Sequence, residues 1–330
     1  MLDLEQPEIR FAIESVRRAA LLVCKIQEEL VSPALTKDDR SPVTVADYAS
    51  QALVAHMLEE AFPDDPLVAE EDSRGLKTPE AEQTLDLVTQ FAIRAVGPAS
   101  PDQVCAWIDR GRADQSDRFW TLDPIDGTKG FLRGDQYAVA LALVENGTLQ
   151  IGVLGCPNLV DGQTPDLHGA GSLVIAMRGR GTWTTSLSAP GEFTPLHVSA
   201  RSQPSEARLL RSFESGHTNI DQIDFFVEAA GIRAAPLLMD SQAKYAVLAA
   251  GRGDLLLRLL SAAKPGYREK IWDQAAGSLV LEEAGGCITD LDGKKLDFTN
   301  GRTLAHNRGI LASNGTLHAP ALEALKQIGA

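Results

Sequence analysis

The sequence predicts a mixed fold: a larger α+β unit over residues 1–200, then a smaller α/β unit over 201–330. Three observations carry this. Apolar residues near the N-terminus recur at helical spacing. Two long apolar runs in the middle are joined by Asn146-Gly147. Beyond about residue 200, strand-like and helical segments alternate. The chain has 330 residues, 44% of them hydrophobic, enough for a large core, and the length alone fits two domains or one large one.

Ile9, Ile13, Val16, Ala20, Val23, Ile26 and Leu30 fall at three- and four-residue steps, which predicts a long amphipathic helix. A polar loop, "TKDDRSPVT", follows, and a second helix is expected from about Val45 to Ala61, stopped before Pro63. "PLVAEED" reads as a short buried strand ending in three acids. Residues 79–96 read as a surface-facing helix. "FWTLD" is a strand, after which Pro124 and Gly127 argue against any regular helix or strand through "DPIDG". "YAVALALVENGTLQIGVLGC" is a hairpin, with Asn-Gly the favoured pair for a tight primed turn. "GSLVIAMRGRGTW" supplies another strand, and residues 161–170 and 184–195 read as loops. In the C-terminal unit "ARLLRSF", "APLLMD" and "DLLLRLL" are strands. "NIDQIDFFVEAAG", "SQAKYAVLAAG" and "WDQAAGSLVLEEAGG" are helices, the last ending at its glycines. There is no internal repeat and no low-complexity tract.

The formal net charge is -14. Sequence-independent binding to nucleic acid depends on many Lys and Arg contacts to phosphate, so this composition argues against a nucleic-acid partner. An anionic substrate would instead need metal ions between two negative partners. The four cysteines, Cys24, Cys105, Cys156 and Cys287, show no CxxC spacing, which argues for a reducing compartment and against a zinc site or disulfide framework. No apolar run has transmembrane length, and the acidic start "MLDLEQPEIR" is unlike a signal or transit peptide. The expected location is the cytoplasm, with no membrane partner. Monomer and homo-oligomer stay open.

Three acidic clusters share one kind of position. Glu70, Glu71 and Asp72 follow a strand, Asp123 and Asp126 follow a strand, and Asp273 opens a helix. Strand ends and helix starts are where polar side chains converge on a cleft while apolar segments stay buried. Hard cations such as Mg²⁺ take oxygen ligands, usually a few carboxylates with substrate phosphate and water. The turn between Asp123 and Asp126 would also present a carbonyl, that of Ile125. Gly127-Thr128-Lys129-Gly130 then offers backbone N–H groups suited to an anion. Each feature has a plainer reading. Asp-Pro-x-Asp-Gly is also a turn former, "VAEED" a solvated loop, and Thr44-x-x-Asp47 an N-terminal capping box. Asp273 suits the first turn of a helix.

Taken together, "DPIDGTKGF", "SPVTVADYASQ", "VAEED" and "IWDQAAGSLVLEEAGG" resemble the lithium-sensitive, magnesium-dependent phosphatases related to inositol monophosphatase. Within them the chain is similar to the 3'(2'),5'-bisphosphate nucleotidases of plants and fungi, from about Phe11 to Leu311. Lys129 stands where the monophosphatases typically have "DGTTNF", and "SGHTN", "SQAKY" and "LLLRL" look like nucleotide-contacting segments. The resemblance implies a layered α-β-α-β-α sugar-phosphatase fold with the active site between the two units. It implies two or three Mg²⁺ ions on Glu70, Asp123, Asp126, Asp273 and the Ile125 carbonyl. Asp47 and Thr128 would activate the water. Gly127, Thr128, His217, Ser241, Lys244, Arg258 and Asp273 would contact the substrate.

The implied activity is hydrolysis of adenosine 3',5'-bisphosphate to AMP and phosphate, with 3'-phosphoadenylyl sulfate as a further candidate substrate and a salvage role in sulfur metabolism. Two departures stand out. "VAEED" replaces the wider superfamily's "GEE", and the loop with Lys37, Asp38 and Asp39 has no assigned role. Without the acids, Lys244 and Arg258 would read as surface charges and His217 as a loop histidine. The rival functions are an inositol phosphate phosphatase on the same metal core and a non-catalytic nucleotide sensor.

Overall fold

The computed structural model describes residues 4–31, 41–213, 220–260, 264 and 266–330. Helix α1 (Pro7–Leu30) buries the residues whose spacing predicted it, among them Ile9, Val16, Val23 and Ile26. Helix α2 runs Ser41–Ala61, beginning earlier than the expected Val45. Strand β1 (Leu67–Ala69) is wholly buried. Helix α3 (Glu82–Val96) follows two short 3-10 turns. It is not simply surface-facing, because Val88, Phe91 and Ala92 turn into the core. Helix α4 (Pro101–Asp109), opened by a Ser100/Gln103 capping box, has no counterpart in the sequence reading.

Strand β2 (Arg118–Asp126) runs straight through the stretch read as a bend. A register shift between Asp123 and Asp126 explains how: the strand bulges there, and a bulge tolerates the missing N–H of Pro124. After the short helix α5 (Thr128–Arg133) come β3 (Ala138–Glu145) and β4 (Thr148–Cys156). Their turn has Asn146 at φ 49° and Gly147 at φ 72°, as a primed hairpin turn requires. A small ribbon, β5 (Leu159–Val160) with β6 (Thr164–Pro165), lies inside the expected loop. Strands β7 (Ser172–Met177), β8 (Gly181–Ser186) and β9 (Thr194–Leu196) finish one sheet. The C-terminal part adds β10 (Leu209–Arg211), α6 (Ile220–Ala229), β11 (Leu237–Leu238), α7 (Ala243–Ala249) and β12 (Leu255–Arg258). It ends with α8 (Ala275–Glu283), β13 (Cys287–Thr289), β14 (Ile310–Ser313) and α9 (His318–Gln327).

Seven strands form the large sheet in the order β1-β2-β3-β4-β7-β8-β9, and five form the second in the order β11-β10-β12-β14-β13. Alternation along each strand divides the apolar residues into layers. Val139, Leu141 and Leu143 join the core under α1 and α2, whereas Ala138, Ala140 and Ala142 face α7 and α8. In the second sheet Leu256 and Ala312 face that same middle layer, while Leu257 and Leu311 pack against α6 and α9. The order is helix, sheet, helix, sheet, helix, the layered architecture that the sequence resemblance implied. Both sheets are buried on both faces, which is why their strands read as continuous apolar runs. Among the described residues no helix is long and apolar enough to cross a membrane.

Candidate active site

Two residues three apart on a regular strand face opposite ways. Asp123 pairs with Ala140 and Asp126 with Ala138, so the bulge inserts one extra residue between them. Both partners lie on the β3 face that meets α7 and α8, and both aspartates therefore emerge on that face. The bulge is pinned from the other side. Ser50 Oγ on α2 donates to the Pro124 carbonyl at 3.2 Å, and the Ile125 N–H donates to Asp123 Oδ1 at 3.1 Å. The Ile125 side chain belongs to the core under α1 and α2, which leaves its backbone toward the site.

A cavity of ≈190 Å³ opens here. Glu70 and the stretch Asp123 to Thr128, apart from Pro124, form one wall; Ser241, Lys244, Arg258 and Asp273 form the other. A larger groove of ≈510 Å³ beside Pro63, Arg110 and Arg112 shares no lining residue with it and contains none of these acids. Asp47 lies behind the cavity rather than on its wall. His217 falls outside the described residues, as do Lys37, Asp38 and Asp39.

Three of the plainer readings fail on position. Helix α2 already runs from Ser41, so Asp47 lies in its second turn and cannot cap it with Thr44. Asp273 precedes the first residue of α8 by two positions, outside the helix's first turn. Lys244 is 6% exposed, not a surface charge.

The acids crowd one another. Burial, then Glu71 and Glu70, hold Asp47 far above the usual carboxylate range. Burial, then Glu70 and Asp126, do the same to Asp123. Asp126 is raised by burial, with Arg258, Lys244 and the Gln242 N–H working against the rise; that N–H donates to Asp126 Oδ2 at 2.6 Å. Asp273 is raised by burial despite Arg258. Glu70 reaches solvent at the cavity mouth, yet packing around its carboxyl, followed by Glu71 and Asp126, pushes it up to about 7.

Like charges held together favour protonation, and a bound cation relieves the same repulsion. The donor set fits a hard divalent ion: all oxygens, with Asp47 Oδ1 buried and lacking a hydrogen-bond partner among the described residues. Among those residues no group of three or more His, Cys, Asp or Glu side chains stands arranged to hold a metal ion by itself.

The opposite wall is cationic. Burial lowers the Lys244 ammonium to about 8, and its Nζ donates to Ser212 Oγ at 2.8 Å. Burial works against the Arg258 charge, but Glu269, Asp273 and Asp126 outweigh it and the net shift is upward. Arg258 Nε lies 2.9 Å from Glu269 Oε2.

Backbone geometry permits the close approach of the two walls. Gly127 has φ 91°, and a Cβ there would meet Ser241 Cβ at 2.8 Å. Ser241 itself adopts φ 66°, an unusual conformation for a residue with a side chain.

Sequence reasoning missed Gln242. It is buried, its Nε2 donates to the Trp272 carbonyl at 3.0 Å, and its Oε1 accepts from the Gly277 N–H at 3.0 Å. Its backbone thus holds Asp126 while its side chain holds the approach to α8. Glu269, the partner of Arg258, was missed as well; an acid four residues before Asp273 was its only signal.

With this geometry in hand, the comparisons decide the family. The inositol monophosphatase family matches residues 4–330. The chain belongs to that family. A 3'(2'),5'-bisphosphate nucleotidase of Schizosaccharomyces pombe is 41% identical over 336 residues, covering 96% of this chain and 94% of the relative. One from Oryza sativa is also 41% identical, over 97% and 93%. Among solved structures, an inositol monophosphatase from Zymomonas mobilis superposes with a TM-score of 0.64 at 20% identity, over 99% of this chain and 100% of that one. One from Anabaena gives 0.62 at 21%, over 97% of each. The solved structures carry the fold, and the sequence relatives carry the closer kinship.

Proposed function

We infer that this chain is a 3'(2'),5'-bisphosphate nucleotidase, a phosphatase that hydrolyses the 3'-phosphate of adenosine 3',5'-bisphosphate to give AMP and phosphate. The observation that carries this reading is a single cavity holding a carboxylate wall opposite Lys244 and Arg258. It is supported by near-full-length identity to relatives of that name. A divalent cation serves the reaction, and we take it to be Mg²⁺, two or three ions on Glu70, Asp123, Asp126, Asp273 and the Ile125 carbonyl. Bound there, it would neutralise the scissile phosphate and acidify a water.

The chain's own groups do the rest. Asp47 and Thr128 orient the water, and Asp47 takes its proton. The water oxygen bonds to phosphorus in line as the bond from phosphorus to the ribose 3'-oxygen breaks. That oxygen leaves with a proton from solvent. N–H groups of Gly127 and Thr128 hold nonbridging oxygens. Lys244 and Arg258 grip the 5'-phosphate through charge-assisted hydrogen bonds, while Ser241 and His217 contact the nucleoside. Residues 1–200 and 201–330 act as two units with the chemistry between them, in the cytoplasm.

The same acids would serve an inositol phosphate phosphatase, but a substrate with one phosphate gives Lys244 and Arg258 no second phosphate to bind. Parallel phosphate-release assays on adenosine 3',5'-bisphosphate, 3'-phosphoadenylyl sulfate and inositol monophosphate, with and without Mg²⁺, test the reading. Faster Mg²⁺-dependent release from the adenosine substrates is expected. Preference for inositol monophosphate would overturn the substrate, and tight nucleotide binding with no product would overturn the enzyme.

A further inference from the structure

We propose that Arg302 is a positioning residue that sets the separation between the two metal-binding segments ending in Glu70 and Asp273. The proposal rests on the metal reading above. Glu70 follows the edge strand of the large sheet, whereas Asp273 lies in the chain that leads into α8. No backbone ladder of either sheet joins these segments, and two carboxylates facing one cavity repel. Something must hold them at a fixed spacing before a cation arrives.

Arg302 touches the chain immediately before each ligand. Its own carbonyl accepts from the Ile271 N–H at 3.2 Å, and Thr303 bridges Lys270, so its backbone lies along the approach to Asp273. Its guanidinium carbon stands 4.8 Å from the ring centroid of Trp272, the residue before Asp273. From there the side chain crosses to the other segment. Nη1 donates to the Gly111 carbonyl at 3.0 Å, and Nη2 donates to the carbonyl of Ala69, the residue before Glu70. The Gly111 carbonyl also accepts the Ala69 N–H at 2.9 Å, so the fork closes on a paired stretch of backbone.

A second clamp works from the opposite side. Gln51 Nε2 donates to the Glu71 carbonyl at 2.7 Å, and its Oε1 accepts from the Glu71 N–H at 3.0 Å. Gln51 stands one helical turn after Asp47, so α2 fixes Glu71 relative to Asp47 and Arg302 fixes Ala69 relative to Trp272. Only a planar fork can stack on a ring and bond two carbonyls at once. A lysine at this position would supply charge without that geometry. Outer partners that orient metal ligands typically contribute tenfold or more to metal affinity.

Arg17 offers an internal control. Its Nε and Nη2 donate to the Leu187 and Ser188 carbonyls at 3.0 and 3.3 Å, a staple of the same kind far in sequence from the acids. The experiment follows the unfolding temperature of the nucleotide-free full chain across a Mg²⁺ series and takes the Mg²⁺ concentration at which the logarithmic rise sets in, since that onset tracks Kd.

Arg302→Lys and Arg302→Gln should each move that onset about tenfold upward in Mg²⁺ concentration, while Arg17→Lys leaves it at the wild-type value. An unchanged onset in the Arg302 variants overturns the proposal. So does an equal shift in Arg17→Lys, which would mark general loosening, or failure of both Arg302 variants to fold in chelator. A wild-type chain whose unfolding temperature ignores Mg²⁺ would instead overturn the metal reading beneath it.

Discussion

The cavity wall on the large sheet carries Glu70, Asp123 and Asp126 side by side, while the facing wall carries Lys244 and Arg258. Within the protein the two walls are completed to different degrees. Arg258 has Glu269 at 2.9 Å and Lys244 has Ser212 at 2.8 Å, so each cation already has a partner. Burial lifts Asp123, Asp126 and Glu70 alike, and neighbouring acids add to the rise at Asp123 and Glu70. The difference separates the two tasks. The cationic wall is complete as folded and waits only for an anion. The acidic wall is incomplete until positive charge arrives from outside.

The largest expected effect breaks the acidic wall. Asp123→Asn keeps shape and removes charge, so the fold should persist while a ligand of the proposed cation is lost. Several kcal/mol of transition-state stabilisation would go with it, on the order of a thousandfold in turnover. Phosphate release under saturating Mg²⁺ checks this, and a near-wild-type rate would sink the assignment. A smaller effect breaks the cationic wall. Lys244→Met keeps every carboxylate in place and removes one charge-assisted contact, which is about 1.5–3 kcal/mol, or roughly ten- to hundredfold in KM for the bisphosphate. The KM for inositol monophosphate should change much less. An equal change for both substrates would show that Lys244 does not read the second phosphate.

The two walls were also unequally legible in the sequence. Acid clusters at strand ends and the Gly-Thr step are local signals, and they located Glu70, Asp123 and Asp126 before any fold was known. The bulge that makes Asp123 and Asp126 share a face was not legible. Pro124 and Gly127 look like strand breakers, and only pairing with β3 shows that the strand survives them. Helix α4 was missed because it spans only nine residues, too few for the buried face of Val104, Cys105 and Ile108 to stand out as a period. Gln242, Glu269 and Arg302 escaped for a different reason. The roles of Gln242 and Arg302 come from contacts with residues 30 or more positions away or from bonds to backbone that no residue type announces, and that of Glu269 from its pairing with Arg258 on a separate strand.

The smallest predicted effect sharpens the comparison without any substitution. In the metal-free chain Asp47 and Asp123 are buried with carboxyls raised well above their ordinary values. A group whose folded value is raised binds its proton more tightly in the folded state. Its contribution to stability is therefore present below the unfolded carboxylate range near pH 4 and is lost as pH rises through the folded value. With chelator present, the unfolding temperature should fall by a few degrees from about pH 5.5 to pH 8 as Glu70, pushed up to about 7, is forced to ionise beside its acidic neighbours. Mg²⁺ should return most of that loss at pH 8 and much less at pH 5.5, where protons already do part of the cation's work. The cationic wall predicts no such pattern, since Lys244 is lowered only to about 8. Thermal unfolding at the two pH values, with chelator or Mg²⁺, separates the walls. A Mg²⁺ benefit equal at both would mean that the acids are not what the cation relieves.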